Sequence, residues 1–298
     1  MRILLFGANG QVGHELRRSL APLGEVVCTT RSGRLGDGAP CEAADFARPG
    51  TLAPLIARIA PDVVVNAAAY TAVDRAEDEP AAAYAANASA PQAIAAACAQ
   101  RDLLMVHYST DYVFDGTATR PYREDDPTCP LGVYGASKLA GEQAIQDSGA
   151  RHMIFRTAWV YAAHGSNFLR TMLRLAGERD ELRVVADQVG APTPASLIAD
   201  VSSHVLGQAQ GGGILHLVAG GETSWHGFAL EIVTQAYKLG LIARLPRMEK
   251  ILTPDYPTRA QRPAFSVLDT RRLVDRHAVV LPAWHALLPR VLAEVRRS

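Results

Sequence analysis

The chain carries no net charge: 30 Lys and Arg balance 30 Asp and Glu across 298 residues. It therefore lacks the long-range basic field of a dedicated nucleic-acid or anionic-membrane binder, and any anionic ligand must be held by a local pocket. Cysteine is scarce. Cys28, Cys41, Cys98 and Cys129 are scattered, with no C-x-x-C pair and no histidine at ligand spacing, which argues against a disulfide framework or a zinc site. Long apolar runs are missing as well. The opening MRILLFGANG has one basic residue and a short apolar run before its glycines, too little for a signal peptide, and no stretch is long enough to span a bilayer. Repeats and low-complexity tracts are absent too. These absences predict a globular cytoplasmic protein with reduced thiols, and no nucleic acid or membrane as partner.

What is present is an alternation of strand and helix. Residues 3–6 form a continuous apolar run ending at Gly7, as a strand buried on both faces does. Residues 11–20 place Val12, Leu16 and Leu20 at helical spacing, and Pro22-Leu23-Gly24 ends the helix. Further strands are predicted at 25–29, 62–66, 103–108 and 152–156. Helices are predicted at 51–59, 81–100 (interrupted near Pro91), 133–146 and 284–295. Apolar strands alternating with helices imply an α/β fold, a Rossmann-type doubly wound parallel sheet with helices on both faces. After about residue 160 the rhythm loosens and prolines gather at 192, 194, 246, 254, 257 and 263. The expected organisation is a dinucleotide-binding domain over 1–160, with late sheet elements from about 190–218. A smaller C-terminal substrate-binding domain then takes most of 161–298.

Gly7-Ala8-Asn9-Gly10-Gln11-Val12-Gly13 follows the first strand and opens the first helix. Such glycines let the backbone approach a pyrophosphate seated on the helix N-terminus. The spacing G-x-x-G-x-x-G departs from the commonest dinucleotide fingerprint, so the strand–helix context carries the reading. At the end of the second strand, where an acid would grip the ribose hydroxyls of NAD, stand Thr29-Thr30-Arg31-Ser32. Thr30 and Arg31 suit the 2′-phosphate of NADPH, with NADH as the weaker option; a solvated loop arginine is the plain alternative. Asp45-Phe46 is placed to meet the adenine. Asn66-Ala67-Ala68-Ala69 ends another strand with small side chains where the cofactor passes.

Tyr134-Gly-Ala-Ser-Lys138 puts a phenol and an ammonium four apart on one helix face. A free phenol titrates near 10, and a neighbouring ammonium lowers that value, so the pair can deliver a proton to a carbonyl oxygen that gains charge. Tyr108-Ser109-Thr110-Asp111 lies at the carboxyl end of a predicted strand, where open α/β sheets place ligands. Thr110 can hydrogen-bond the same oxygen; strand-end capping is its ordinary alternative.

Together these segments resemble the extended short-chain dehydrogenases/reductases and, among them, the dTDP-4-dehydrorhamnose reductase family. The likeness rests on residues 3–13 (ILLFGANGQVG), 61–74 (PDVVVNAAAYTAVD), 107–116 (HYSTDYVFDG), 134–142 (YGASKLAGE), 154–161 (IFRTAWVY), 187–193 (DQVGAPT) and 216–220 (HLVAG). It implies reduction of the 4-keto group of a dTDP-sugar. Tyr134 would be proton donor, Lys138 would tune it and hold the nicotinamide ribose, and Thr110 would adjust the carbonyl environment. Implied substrate contacts are Thr110, Asp111 and Trp159; implied cofactor contacts are Gly10, Gln11, Val12, Asp45, Phe46, Ala67, Ala68, Ala69, Tyr108, Tyr134 and Lys138. Arg262 is a candidate diphosphate ligand, or else a salt-bridge residue. Two departures from the family pattern stand out: Thr30 where an acid is common, and no Asn before Ser266. The family also raises homodimer formation through Mg²⁺ on surface carboxylates. Glu15, Glu178, Glu181 and Glu294 are the acids considered, and they otherwise read as solvated charges. The rival readings are a nucleotide-sugar 4-epimerase or 4,6-dehydratase, which in the second case needs an acid where Tyr112 stands, and a non-catalytic NADP-binding subunit.

Overall fold

The computed structural model describes residues 1–208 and 212–296. Seven parallel strands build the central sheet: β1 (Arg2–Phe6), β2 (Glu25–Thr30), β3 (Glu42–Ala43), β4 (Val63–Asn66), β5 (Leu104–Thr110), β6 (His152–Thr157) and a late edge strand, Gly213–His216. In space the late strand is followed by β6, β5, β4, β1, β2 and β3. Succession thus runs outward in opposite directions from β1 and β4, and a crevice opens above their carboxyl ends at that switch point.

The strands read as unbroken apolar runs because both faces are covered. Ile3, Leu5, Val63 and Val65 pack on one side against Leu16 and Leu20 of the Gln11–Leu20 helix and Ile198 and Val205 of the Ala195–Gly207 helix. Leu4, Phe6 and Val64 pack on the other side against Ile56, Ile94 and Ile145. A third cluster, including Tyr161, Leu169, Phe228, Ile232 and Leu288, joins the Phe168–Glu178, Trp225–Lys238 and Trp284–Val295 helices. No helix among the described residues is long and apolar enough to cross a membrane.

One expectation needs moving. The interruption predicted near Pro91 falls one turn earlier, as a π-helical segment over Ala85–Ser89 between Pro80–Tyr84 and Ala90–Ala99. A proline inside a helix lacks an N–H and its ring crowds the carbonyl four residues back, here that of Asn87. The wider turn relieves that crowding upstream, and the helix then resumes with Pro91 in its first turn.

Candidate active site

β1 runs into Gly7, whose φ of +82° suits glycine, and a Cβ there would lie 2.6 Å from the Ala68 nitrogen. A Cβ on Gly13 would overlap the Gly7 carbonyl, so Gly13 serves the close packing of helix on loop. Gly10 caps the Gln11–Leu20 helix without a side-chain hydrogen bond, and the first turn holds no acid. Its free N–H groups and positive dipole end are therefore available to an anion. These features fit a dinucleotide pyrophosphate.

The loop forms one end of a cleft of about 1060 Å³. Gly7, Gly10, Gln11 and Val12 line it at the loop, Thr30 and Arg31 at the end of β2, and Ala67, Ala68 and Ala69 after β4. Phe46 lines it too, with its ring edge-on to Phe6 at 5.6 Å. Asp45 and Gly13 are absent from the lining. The Asp45 carboxylate accepts instead from the Ala47 backbone N–H (3.1 Å) and Arg48 Nε (3.0 Å), which turns it back into its own loop. The Thr30 hydroxyl donates to the Arg34 carbonyl (3.0 Å) and accepts from the Arg34 N–H (3.1 Å), so it shapes the turn. Exposed Arg31 and Ser32 are the side chains that this turn offers to the cleft.

Tyr108, Thr110, Asp111, Tyr134 and Lys138 meet farther along the same cleft. β5 delivers Tyr108 and Thr110 at its carboxyl end, Asp111 opens the short 3-10 turn that follows, and the Val133–Asp147 helix delivers the pair. Burial pushes the Tyr134 phenol up to about 12, while its hydrogen bond with Thr110 works the other way. The expected lowering of this phenol by Lys138 is not seen. Lys138 Nζ instead donates to the Tyr108 carbonyl at 2.6 Å and lies 3.3 Å from His107 Nε2. Burial brings the Lys138 ammonium down to about 8, against an opposing pull from Glu142. Burial also lifts Asp111 to about 6, even though Thr110 Oγ1 donates to its Oδ1 at 3.0 Å. The buried Ser109 Oγ, Asp111 Oδ2 and Thr157 Oγ1 have no hydrogen-bond partner. All three residues line the cleft, as polar groups that meet a ligand do.

Trp159 lies in the left-handed region at φ +47° and stacks on Trp225 with ring centroids 3.6 Å apart. Gly190 makes room for it, since a Cβ there would come within 2.5 Å of the Trp159 ring. Arg262 pairs with Asp74 through two hydrogen bonds of 2.8 and 3.2 Å, which is its salt-bridge reading, and it also lines the cleft. Sequence reasoning missed Tyr70, Asn167, Phe168 and Trp225, which line the cleft as well. Asn167 had a signal: it caps the Phe168–Glu178 helix, accepting from the Arg170 N–H, and also donates to Gln11 Oε1 at 2.8 Å. Trp225 had none, because its partner lies 66 positions away (225 − 159).

The family described as RmlD substrate binding domain matches residues 1–297. The chain belongs to that family. A relative from Burkholderia thailandensis, named dTDP-4-dehydrorhamnose reductase, is 51% identical over 294 residues, covering 95% of each chain. One of the same name from Salmonella typhimurium is 46% identical over 299 residues, covering 99% of this chain and 98% of that one. A solved structure of dTDP-4-dehydrorhamnose reductase from Bacillus anthracis in complex with NADP superposes with a TM-score of 0.88 at 31% identity, covering 98% of this chain and 99% of that one.

Of the four acids considered for Mg²⁺ in this family, Glu15 has its carboxyl raised by burial and by Glu294 nearby, while the other two are paired with arginines. Glu178 pairs with Arg174 at 2.8 Å, and Glu181 lies 3.4 Å from Arg247. Glu15 sits with His14 and His164, their candidate ligand atoms within 4.8 Å of one another. Two imidazoles and one carboxylate do not fit Mg²⁺, which takes oxygen ligands.

Proposed function

We propose that the chain is a dTDP-4-dehydrorhamnose reductase. It reduces the 4-keto group of dTDP-4-dehydro-β-L-rhamnose to dTDP-β-L-rhamnose, the last step in making that sugar donor. The observation that carries this reading is the meeting of Thr110, Tyr134 and Lys138 in one cleft with the glycine loop. Family membership and the near-full-length relatives of that name support it.

A bound nicotinamide dinucleotide would supply the hydride that adds to C4 of the sugar. Tyr134 delivers its phenolic proton to the oxygen that gains charge. Burial favours the neutral phenol, the form a general acid needs. Thr110 would be a second donor to that oxygen once its single hydroxyl proton turns away from Asp111 Oδ1. Lys138, tied to the Tyr108 carbonyl at 2.6 Å, would meet the nicotinamide ribose from its place one turn along the helix from Tyr134. Asp111 and Trp159 meet the nucleotide sugar from the edge of the 1–160 domain and Arg262 from 161–298, which supplies most of the rest of that pocket, while 1–160 with the late sheet strand holds the cofactor. Arg31 and Ser32 favour NADPH over NADH, because the β2 tip presents no carboxylate to repel a 2′-phosphate. The cysteines are all free, in keeping with a cytoplasmic enzyme.

Product analysis of two parallel reactions tests the assignment. With dTDP-4-dehydro-β-L-rhamnose and NADPH, the purified protein should form dTDP-β-L-rhamnose. With dTDP-glucose and NAD it should form no 4-keto-6-deoxy sugar, because the phenol of Tyr112 stands where a dehydratase needs a carboxylic acid. Water elimination in the second reaction would overturn the assignment.

A further inference from the structure

A buried chain of polar side chains runs behind the catalytic lysine. Asn66, at the end of β4, and His107, in the middle of β5, are both fully buried. The backbone N–H of Ala68 donates to Asn66 Oδ1 at 3.1 Å, which fixes the orientation of the amide. The Asn66 Nδ2 group therefore donates to His107 Nδ1 at 3.0 Å. A ring nitrogen that accepts cannot carry a proton, so in the neutral imidazole the proton sits on Nε2. That nitrogen faces Lys138 Nζ at 3.3 Å.

The consequence lies in the meeting of two donors. A fully protonated ammonium has no lone pair to receive the Nε2–H, whereas the neutral amine does. One Nζ–H is already committed to the Tyr108 carbonyl at 2.6 Å. We infer that Asn66 fixes the Nε2–H tautomer of His107, and that His107 is thereby a positioning residue that holds Lys138 in place and draws it toward the amine form. The inference deepens the proposed reductase activity and rests on that reading for its catalytic meaning. Burial lowers the Lys138 value and holds His107 well below its ordinary value, in keeping with a neutral ring. The other groups that face Lys138 are Glu142, one turn along the helix and paired with Arg156 at 2.6 Å, and Tyr134, one turn before it. Glu142 favours the ammonium, so the His107 Nε2–H is the contact that opposes it.

The chain has only three lysines, Lys138, Lys238 and Lys250, so NMR of lysine labelled at the ε position resolves their titrations one by one in the full protein. Lys138 should titrate well below the other two. In His107→Gln the side-chain carbonyl can accept from the ammonium, and the Lys138 titration should move up by about 0.5–1 pH unit. The alkaline limb of kcat/KM should move up with it. A second measurement needs no variant: the ring-nitrogen shifts of His107 in the unaltered chain, assigned through contact with Lys138, should report the Nε2–H tautomer. An Nδ1–H tautomer overturns the inference, and so does an unmoved Lys138 titration in folded His107→Gln. Both readouts are made without substrate, so a chain that failed to reduce the sugar would refute the reductase reading while leaving these results to decide on His107.

Discussion

Tyr134 and Arg31 carry the two residue-scale expectations. Replacing Tyr134 by Phe removes the proton donor but leaves the ring that packs edge-on against Tyr112 at 5.6 Å. Turnover should fall by about 10²-fold or more while NADPH affinity stays close to that of the parent. Single-turnover kinetics beside a binding titration separate the two effects, and an undiminished rate in the folded variant would remove Tyr134 from the mechanism. Arg31 reaches the cleft from an exposed turn. A charged hydrogen bond to a 2′-phosphate contributes about 1.5–3 kcal/mol, which corresponds to a preference for NADPH of roughly tenfold or more in kcat/KM. Arg31→Ala should erase most of that preference and hardly change the use of NADH. Equal use of both cofactors by the parent chain would make Arg31 an ordinary loop residue.

At the scale of elements, the glycine loop works because β1, the first helix and the turn after β4 approach one another more closely than side chains permit. Gly7→Ala must place a Cβ beside the Ala68 backbone at a positive φ. The variant should melt several degrees lower and bind NADPH at least tenfold more weakly, as thermal melts and a binding titration would report. Unchanged melting and affinity would mean that the loop can relax. Much of this geometry was legible in the sequence, since the first apolar run ends at Gly7 and the helix phase of Val12, Leu16 and Leu20 is clean. The Gln11–Leu20 and Trp284–Val295 helices begin and end where that phase places them. His107 was not legible, because a neutral buried imidazole in an apolar strand reads as one more interior residue. Asp45 looked like an adenine contact from its place after β3, yet two nearby donors within its own loop claim the carboxylate. Such local competition is invisible until the turn is built.

The molecule as a whole holds a charged carboxyl in its interior to serve the cleft, and its stability should show the cost. Burial raises Asp111 from an ordinary 3.8 to about 6. In the folded chain it therefore takes up a proton before the unfolded chain does. Its contribution to stability is complete below about pH 4 and is lost as pH rises through about 6, leaving a cost of about 2–3 kcal/mol at neutral pH. Asp111→Asn should raise the melting temperature at pH 7 by several degrees, with a smaller gain at pH 5, and weaken substrate binding. Melting curves at the two pH values check the sign, and a variant that melts no higher at pH 7 contradicts it. The central claim is that this cleft reduces one sugar ketone with a proton from Tyr134. Its most direct measurement is the ratio of NADPH oxidised to dTDP-β-L-rhamnose formed when the purified chain meets dTDP-4-dehydro-β-L-rhamnose, with the product identified by NMR. One-to-one conversion to the L-rhamno product is the predicted result; a 4-epimer of that product, or no NADPH consumption by the folded protein, would contradict it.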